Sequence, residues 1–452
     1  MAKKYNLLEG NIFAIYKKFV STSIAGMLMV SFYILFDTIF IGQGVGPGGL
    51  AALNISIPIF NLFFGTGMLI GIGSATVMSI NVGHKNIVGA RQAFEHSLIL
   101  GVITGALYSL GSVLFLEELM VFLGAGPESE PLIREYLGVI LPFSWAFLLV
   151  QNLAIIVRND QGPKRAMLAM GIGSITNVIL DYILIFPLQM GMRGAAIASV
   201  LAALLSLFIL AWHFLGGHST FRIKSFRLRA GLIRRIAVIG LAAFIIEISS
   251  GLIIYLYNQE LLKLIGDIGV SAYSIIANIS LMAVALFTGI AQGVQPIAST
   301  NFGARKLNRV YKVRKYGIFT ALAFGSLFMF TGLLIPETII SAFTTETGEF
   351  VNIAREGIRI YFLAFPIMGL NVFLNGFFQA IERPRYSTLI SLLRGIVLTF
   401  IWLKILPPIL GLRGIWLTTP ISETLTFLII SGILGIQHLP PFKKTTQRVS
   451  YK

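Results

Sequence analysis

The chain repeats itself at a spacing of 220 residues. The triplet Asn81–Gly83 (Asn-Val-Gly) recurs as Asn301–Gly303 (Asn-Phe-Gly), and Gly191–Gly194 (Gly-Met-Arg-Gly) recurs as Gly411–Gly414 (Gly-Leu-Arg-Gly). Four single residues match at the same spacing: Ala52 with Ala272, Gly73 with Gly293, Ser79 with Ser299 and Pro187 with Pro407. A spacing held without a gap over so long a stretch indicates that two halves of the chain share one architecture.

Long apolar segments place both halves in a membrane. Hydrophobic residues make up 56% of the chain and charged residues only 12%. Apolar runs of about 20 residues, the length needed to span a bilayer, recur from end to end. We predict twelve of them, at about 17–41, 50–80, 93–116, 132–157, 165–188, 193–214, 236–258, 270–298, 316–335, 355–381, 386–407 and 412–436.

Each half holds six of these runs. An even number of crossings returns the chain to its starting side, so the halves have the same orientation and form parallel repeats. The sequence therefore predicts an all-α integral membrane protein with twelve transmembrane helices in two six-helix lobes. The N-terminal lobe is residues 1–214, a cytoplasmic linker is 215–235, and the C-terminal lobe, with a short basic tail, is 236–452.

The charged residues behind the net charge of +16 are distributed as the predicted topology requires. Most Lys and Arg residues fall on one side, in the two termini, the linker and the 303–316 loop, whereas the acidic loops lie on the other side. Because cytoplasmic loops of membrane proteins carry the excess of Lys and Arg, both termini are expected in the cytoplasm and the protein in the cell membrane. The basic face is expected to attract anionic membrane lipids, and we expect no nucleic-acid partner.

The sequence lacks the residues that several kinds of chemistry require. The chain has no cysteine, and its five histidines show no ligand spacing, so we expect no metal site and no cofactor. A Walker-type glycine loop is also missing, so any transport by this chain would have to draw on an ion gradient or a separate subunit. A membrane enzyme would need clustered acids for metal-phosphate chemistry or a nucleophile–histidine pair, and a channel would need a pore loop. We therefore expect neither.

Acidic residues inside predicted spans are the informative ones. A carboxylate at the centre of a spanning helix costs about 2.5–3.5 kcal/mol on insertion scales, so each calls for a reason. Asp37 lies four residues after Tyr33, and Asp181 four residues after Asn177, so each pair shares one helical face. An amide can hydrogen-bond a carboxyl in either protonation state. Asp37 and Asp181 are thus functional candidates, Glu247 has a functional and a structural interpretation, and the structural interpretation is preferred for Glu423.

These residues sit within a longer pattern. Its parts in the first half are Asp37 with Thr38–Gly42 and Leu50–Ala52, then Asn81–Gly83, Asn177 with Asp181, and Gly194–Ser199; in the second half they are Gln292–Pro296 and Asn301–Ala304. The pattern resembles the MATE (multidrug and toxic compound extrusion) transporters, over about residues 12–436. The resemblance implies antiport of lipophilic organic cations by alternating access, in a functional monomer.

In relatives of the archaeal and DinF-like type, the N-terminal lobe holds a cation-coupling cluster. The matching positions in this chain are Tyr33, Asp37, Asn152, Asn177, Asp181 and Ser199. The resemblance thus implies proton coupling there, with sodium bound at Asp37 and Asp181 as the alternative.

The chain departs from the family in two places. Many members carry a proline near the start of the first helix, where this chain reads Ser21–Gly26. NorM-like members carry acids in the seventh and tenth helices. Glu247 matches the first of these, as a C-lobe or substrate site, but the tenth helix offers only Asn371 and Asn375. A related lipid or oligosaccharide flippase remains the alternative, and it is favoured only by two cations in the eleventh span, Arg394 and Lys404.

Overall fold

The computed structural model describes residues 6–123, 129–224, 227–344 and 348–436, with side chains up to residue 433. Within these ranges every regular element is helical. Several charged residues used in the topology prediction lie outside the described residues: Lys3, Lys4, Glu128, Glu346, Lys443, Lys444, Arg448 and Lys452.

The helices of the first half follow the predicted runs. They are α1 (Ile12–Gly44), α2 (Pro47–Gly83), α3 (Ile87–Leu114), the short α4 (Leu116–Phe122), α5 (Glu130–Ile140), α6 (Ser144–Asn159), α7 (Pro163–Ile185) and α8 (Gly191–Leu215). A single 3₁₀ turn, Leu141–Phe143, joins α5 to α6 within the fourth run. Pro142 lies in that turn, where its missing N–H and ring interrupt the α-helical hydrogen-bond pattern.

The second half continues in the same order. Its helices are α9 (Ala230–Ile265), α10 (Asp267–Gly303), α11 (Leu307–Leu334), the short α12 (Pro336–Ser341), α13 (Glu349–Tyr361), α14 (Phe365–Ala380), α15 (Pro384–Leu392), α16 (Leu398–Leu410) and α17 (Leu412–Ile436). A 3₁₀ turn, Phe362–Ala364, joins α13 to α14, and a π-helical turn, Leu393–Val397, joins α15 to α16.

The protein is a multi-pass membrane protein. In the described part of the chain, eleven helical segments are long and apolar enough to cross a membrane. Large apolar side chains such as Leu107, Phe208 and Phe319 are exposed on them, as expected for surfaces that face lipid. The twelfth predicted run coincides with α17, a helix of 25 residues.

The repeat is present in the backbone. Helices α2 and α10 have the same length, 37 residues, and begin 220 positions apart, as do the 28-residue helices α3 and α11. Gly46 and Gly266 precede α2 and α10 with φ of 92° and 71°, a conformation that side chains disfavour. Lys85 and Arg305 also match, with φ of 60° and 57° after the same helices. The two halves therefore share turns as well as helices.

The halves meet through α1 against α10 and α2 against α9, and through α2 against α10. Near the 81–86 and 301–306 turns the α2 and α10 backbones touch. A Cβ added to Gly83 would collide with the Thr300 carbonyl, and one added to Gly303 would collide with the Ile80 carbonyl. Polar contacts reinforce this end, because Arg158 of α6 donates to Gln292 of α10 at 2.6 Å. The space between the halves is thus closed at the end that carries the basic turns.

The opposite end carries matching ion pairs. Arg134 donates to Glu117, and in the second half Arg355 pairs with Glu337. The Arg134 guanidinium holds the pKa of the exposed Glu117 below its usual value. The pKa of Glu337 is also lowered, first by its own backbone N–H and then by Arg355. The two short helices α4 and α12 are therefore attached to their halves in the same way.

The connection between α8 and α9 is held against the first half. The structure shortens the predicted 215–235 linker to residues 216–229, because α9 begins at Ala230. Its backbone N–H groups donate to buried side chains: Thr220 to Asp160, Lys224 to Glu95 and Arg229 to His96 Nε2. Because His96 Nε2 accepts this bond while Nδ1 faces the Gln92 carbonyl, the ring carries its proton on Nδ1.

We expect Asp160→Ala to destabilise the protein by about 1–3 kcal/mol, because the Thr220 N–H and the His213 ring lose their buried acceptor. The measurement is the melting temperature of the purified protein, taken from the loss of its monomer peak as the sample is heated. Glu118→Ala removes an exposed acid and serves as the control. An equal melting temperature for both variants would show that the linker is not held by Asp160.

Candidate cation-coupling site

Two buried carboxyl groups face each other between α1 and α7. Asp37 on α1 is 6% exposed and Asp181 on α7 is 0% exposed. The helices approach closely because a small residue lies at their crossing: a Cβ at Gly171 would collide with the Met29 sulfur. The carboxyls of Asp37 and Asp181 lie close enough to act on each other electrostatically. Since a carboxylate has no donor, a direct hydrogen bond between the two groups would require a proton on one of them.

The remaining oxygens at this site lack donors. Asp37 Oδ1, both Asp181 oxygens and Asn177 Oδ1 are buried and receive no hydrogen bond from any donor in the described part of the chain. Buried acceptors are normally paired. Four unpaired oxygens at one site therefore indicate that the site binds another species or changes its protonation state. Oxygen-only ligands suit a proton or a hard cation such as sodium. The same residue ranges contain no group of three or more His, Cys, Asp or Glu that could hold a metal ion.

Three other predicted residues join the pair. Asn177 Nδ2 donates to Ser199 Oγ on α8 at 3.3 Å. Tyr33 lies one turn before Asp37 on α1, close enough for both carboxyls to act on its hydroxyl electrostatically. The structure therefore brings together five of the six predicted positions.

The sixth predicted residue, Asn152 on α6, is engaged elsewhere. Its Oδ1 accepts from Ser97 Oγ at 2.6 Å, and its Nδ2 donates to the Ser97 carbonyl at 2.9 Å. Both atoms thus bind α3, and the assignment of Asn152 to the coupling cluster stays a prediction.

Tyr136 on α5 was not predicted and belongs to the cluster. It is 1% exposed, lies within the electrostatic reach of Asp37 and Asp181, and comes within hydrogen-bonding reach of Ser199. One sequence signal could have found it, because a buried tyrosine hydroxyl needs a polar partner. Its position in an apolar run gave no indication of which partner that is.

The two remaining acids differ in their surroundings. Glu247 on α9 faces α2, where a Cβ at Gly65 would lie 3.1 Å from the Glu247 Cβ. It is therefore at the contact between the halves. Glu423 on α17 is buried and paired: Arg394 donates to it at 2.7 Å, and Asn371 Nδ2 donates to its other oxygen at 2.7 Å. Its neighbours thus neutralise Glu423, as the structural interpretation requires.

Comparison with known proteins gives one family and one fold. The MatE family model matches residues 23–183 and 239–402. The multidrug export protein MepA of Staphylococcus saprophyticus is 24% identical over 429 residues, which cover 94% of each chain.

Two solved structures share the fold. One is described as the outward-facing conformation of a multidrug resistance MATE family transporter of the MOP superfamily. It superposes with a TM-score of 0.90 at 23% identity, over 98% of this chain and 100% of that one. A MATE crystal structure in a bent conformation gives a TM-score of 0.86 at 23% identity, over 97% of this chain and 99% of that one.

Proposed function

We propose that this chain is a secondary active multidrug efflux transporter. The basis is its family, because the chain belongs to the MatE family. The family membership confirms the resemblance drawn from the motifs, and it makes the protein a transporter rather than an enzyme. The export of several unrelated drugs is supported by the names of the relatives, which are multidrug export proteins.

The observation that carries the coupling proposal is the carboxyl pair of Asp37 and Asp181. Two buried acids close to each other are best accommodated with one proton between them, and loss of that proton leaves two like charges side by side. The site can thus alternate between a protonated and a cation-bound or deprotonated state. We propose protons as the coupling ion, with sodium on the same oxygens as the alternative.

Transport is proposed to occur by alternating access between two six-helix lobes. The close contact of α2 with α10 at the end with the basic turns supports a state closed to the cytoplasm, and rocking of the lobes would open that end. Lipophilic cations are proposed to bind between the lobes of a single chain. In this scheme the twelfth span is α17 and both termini are cytoplasmic.

The test is dye efflux from energised membrane vesicles. A proton gradient and a sodium gradient are imposed separately, and export of a fluorescent cation is followed under each. Export driven by the proton gradient alone supports the proposed coupling, and export driven by sodium alone assigns the site to the alternative ion. No gradient-dependent export under either condition contradicts the proposal.

The topology can be tested by labelling single cysteines, since the chain has none of its own. Cysteines at the partly exposed Ser129 and the exposed Phe343 are expected to react with an impermeant maleimide from outside the cell. Cysteines at the exposed His218 and Asn308 are expected to react only after the membrane is opened. Reaction of Asn308 from outside would contradict the parallel arrangement of the halves.

The flippase alternative receives no support from the cations of the eleventh span. Arg394 is paired with Glu423, and Lys404 is paired with Glu260 on α9. Each cation is thus paired with an acid, so this span supplies no net positive charge to a cavity.

A further inference from the structure

The second half contains a cavity with largely apolar walls and one polar end, and the coupling scheme does not use it. It lies between α9, α10, α17 and the π-helical turn, and its volume is about 110 Å³. Its polar wall is formed by Tyr273, Ser280, Tyr361, Arg394, Ser422 and Glu423. The polar end of a cavity of this size has room for waters or for the polar end of a ligand.

Backbone irregularity directs Arg394 into this cavity. The π-helical turn Leu393–Val397 inserts an extra residue into the eleventh span, and Thr399 Oγ1 donates to the Arg394 carbonyl at 2.8 Å. Gly395 lies in the same turn, where an added Cβ would lie 2.8 Å from Ser249 Oγ on α9. Such π-turns interrupt the regular helix and occur often at functional sites.

The charges of the cavity wall are balanced. Arg394 Nε and Nη2 both donate to Glu423 Oε1, at 3.0 and 2.7 Å. Arg394 Nη1 makes no hydrogen bond within the described residues, and Ser422 Oγ is buried without a partner there. The wall thus offers a positive group with a free N–H edge beside a negative group.

We propose that this cavity binds the carboxylate end of zwitterionic ligands, with Arg394 as the carboxylate-binding residue; the assignment rests on the proposed export function. A guanidinium binds a carboxylate through parallel N–H bonds, and Glu423 beside it can pair with an ammonium group of the same ligand. A ligand that carries only a positive charge would be repelled by Arg394. Its attraction to Glu423 would therefore be offset.

The apolar part of such a ligand has a surface to lie on. Ile246, Ile253, Leu281 and Val284 line the same cavity, and Leu281 is 45% exposed. The ligand's body would therefore rest on α9 and α10 while its carboxylate enters the polar end. The acid pair of the first half has no Arg beside it and is proposed to take the coupling ion, so the two sites serve different species.

The test compares rhodamine B, which carries a cation and a free carboxylate, with its ethyl ester, which lacks the carboxylate. Binding of each dye to the purified full chain is measured by fluorescence anisotropy. The double substitution Arg394→Gln with Glu423→Gln removes both charges and leaves neither partner unpaired. We expect it to weaken rhodamine B binding at least tenfold and to change ester binding less than threefold.

The matched control is the exposed ion pair on the same half, replaced by Glu260→Gln with Lys404→Gln, which should leave both dyes unchanged. Arg394→Lys keeps the charge and the Glu423 pair but loses the guanidinium edge. It should weaken only rhodamine B, and it provides the test if the double variant does not fold. Equal losses for the two dyes, or no rhodamine B binding by the unaltered protein, would overturn the assignment.

The same dyes separate this inference from the proposed function. If the unaltered protein shows Arg394-dependent binding but exports neither dye, the export proposal fails and the site stands. If it exports the ester while rhodamine B binding ignores Arg394, the export proposal stands and the site fails.

Discussion

Asp37→Asn is expected to reduce ion-driven efflux to the level of vesicles that lack the protein, while folded protein remains in the membrane. The amide keeps the size and polarity of the side chain but can neither take up nor release a proton. It also removes the like charge beside Asp181, so the two positions can no longer share a proton. The measurement is dye export under an imposed proton gradient, normalised to the amount of monodisperse protein.

The control for this variant is Glu118→Gln, which makes the same chemical change at an exposed acid in α4. Export at the unaltered rate is expected there. Asp37→Glu keeps the titrating group and should retain part of the activity. Full export by Asp37→Asn would show that the carboxyl pair plays no part in coupling.

The helices could be predicted from the sequence because burial in lipid demands long apolar segments. The predicted run 412–436 has the bounds of α17, and the 36-residue α9 contains the run 236–258 with a turn or more added at each end. Those added ends were missed because residues such as Arg234 and Arg235 are charged, although they remain helical beyond the apolar region. Helical structure continues where hydrophobicity stops, so hydropathy alone shortens the spans.

The interruptions were partly predictable. Pro142 indicates a break, and a 3₁₀ turn is found there. The π-helical turn at Leu393–Val397 contains no proline, and Arg394 and Gly395 do not by themselves indicate an inserted residue. It arises where Arg394 meets Glu423 and Gly395 meets α9, which are contacts between distant segments.

The candidate site could also be predicted only in part. Asp37 and Asp181 could be found because a carboxylate in a spanning helix needs a compensating function. Tyr136 and the pairing of Glu423 with Arg394 depend on which helices become neighbours, which one sequence does not specify. Asn152 had the right residue type, yet the α3 backbone and Ser97 bind its amide.

The two halves share a backbone but differ in chemistry at equivalent positions. Tyr257 stands 220 residues after Asp37. It is buried, donates to or accepts from Thr419 at 2.6 Å and stacks on Tyr273 with ring centroids 4.7 Å apart. A rigid aromatic pair therefore occupies the place that a titrating acid has in the first half. This asymmetry favours one ion-coupling site for each molecule, in the first half.

Asp181→Asn is expected to flatten the pH dependence of drug binding without abolishing binding. In the proposed scheme protons and drug compete through the packing of α1, α7 and α8 rather than for one pocket, because the acid pair lies inside the first half and a bulky cation needs the space between the halves. Drug affinity of the unaltered protein should then fall as the pH falls, since protonation of the pair favours the state that releases drug.

Such coupling is reciprocal, so a proton that weakens drug binding tenfold is itself bound tenfold more weakly when drug is present, which corresponds to about 1.4 kcal/mol. Titrating a fluorescent cation against purified protein at several pH values measures this effect directly. For Asp181→Asn the dissociation constants at low and high pH should converge. If the variant keeps the full pH dependence, the coupling group lies elsewhere. Glu247 then becomes the leading candidate, because it lies on α9 against Gly65 of α2, where movement between the halves would change its surroundings.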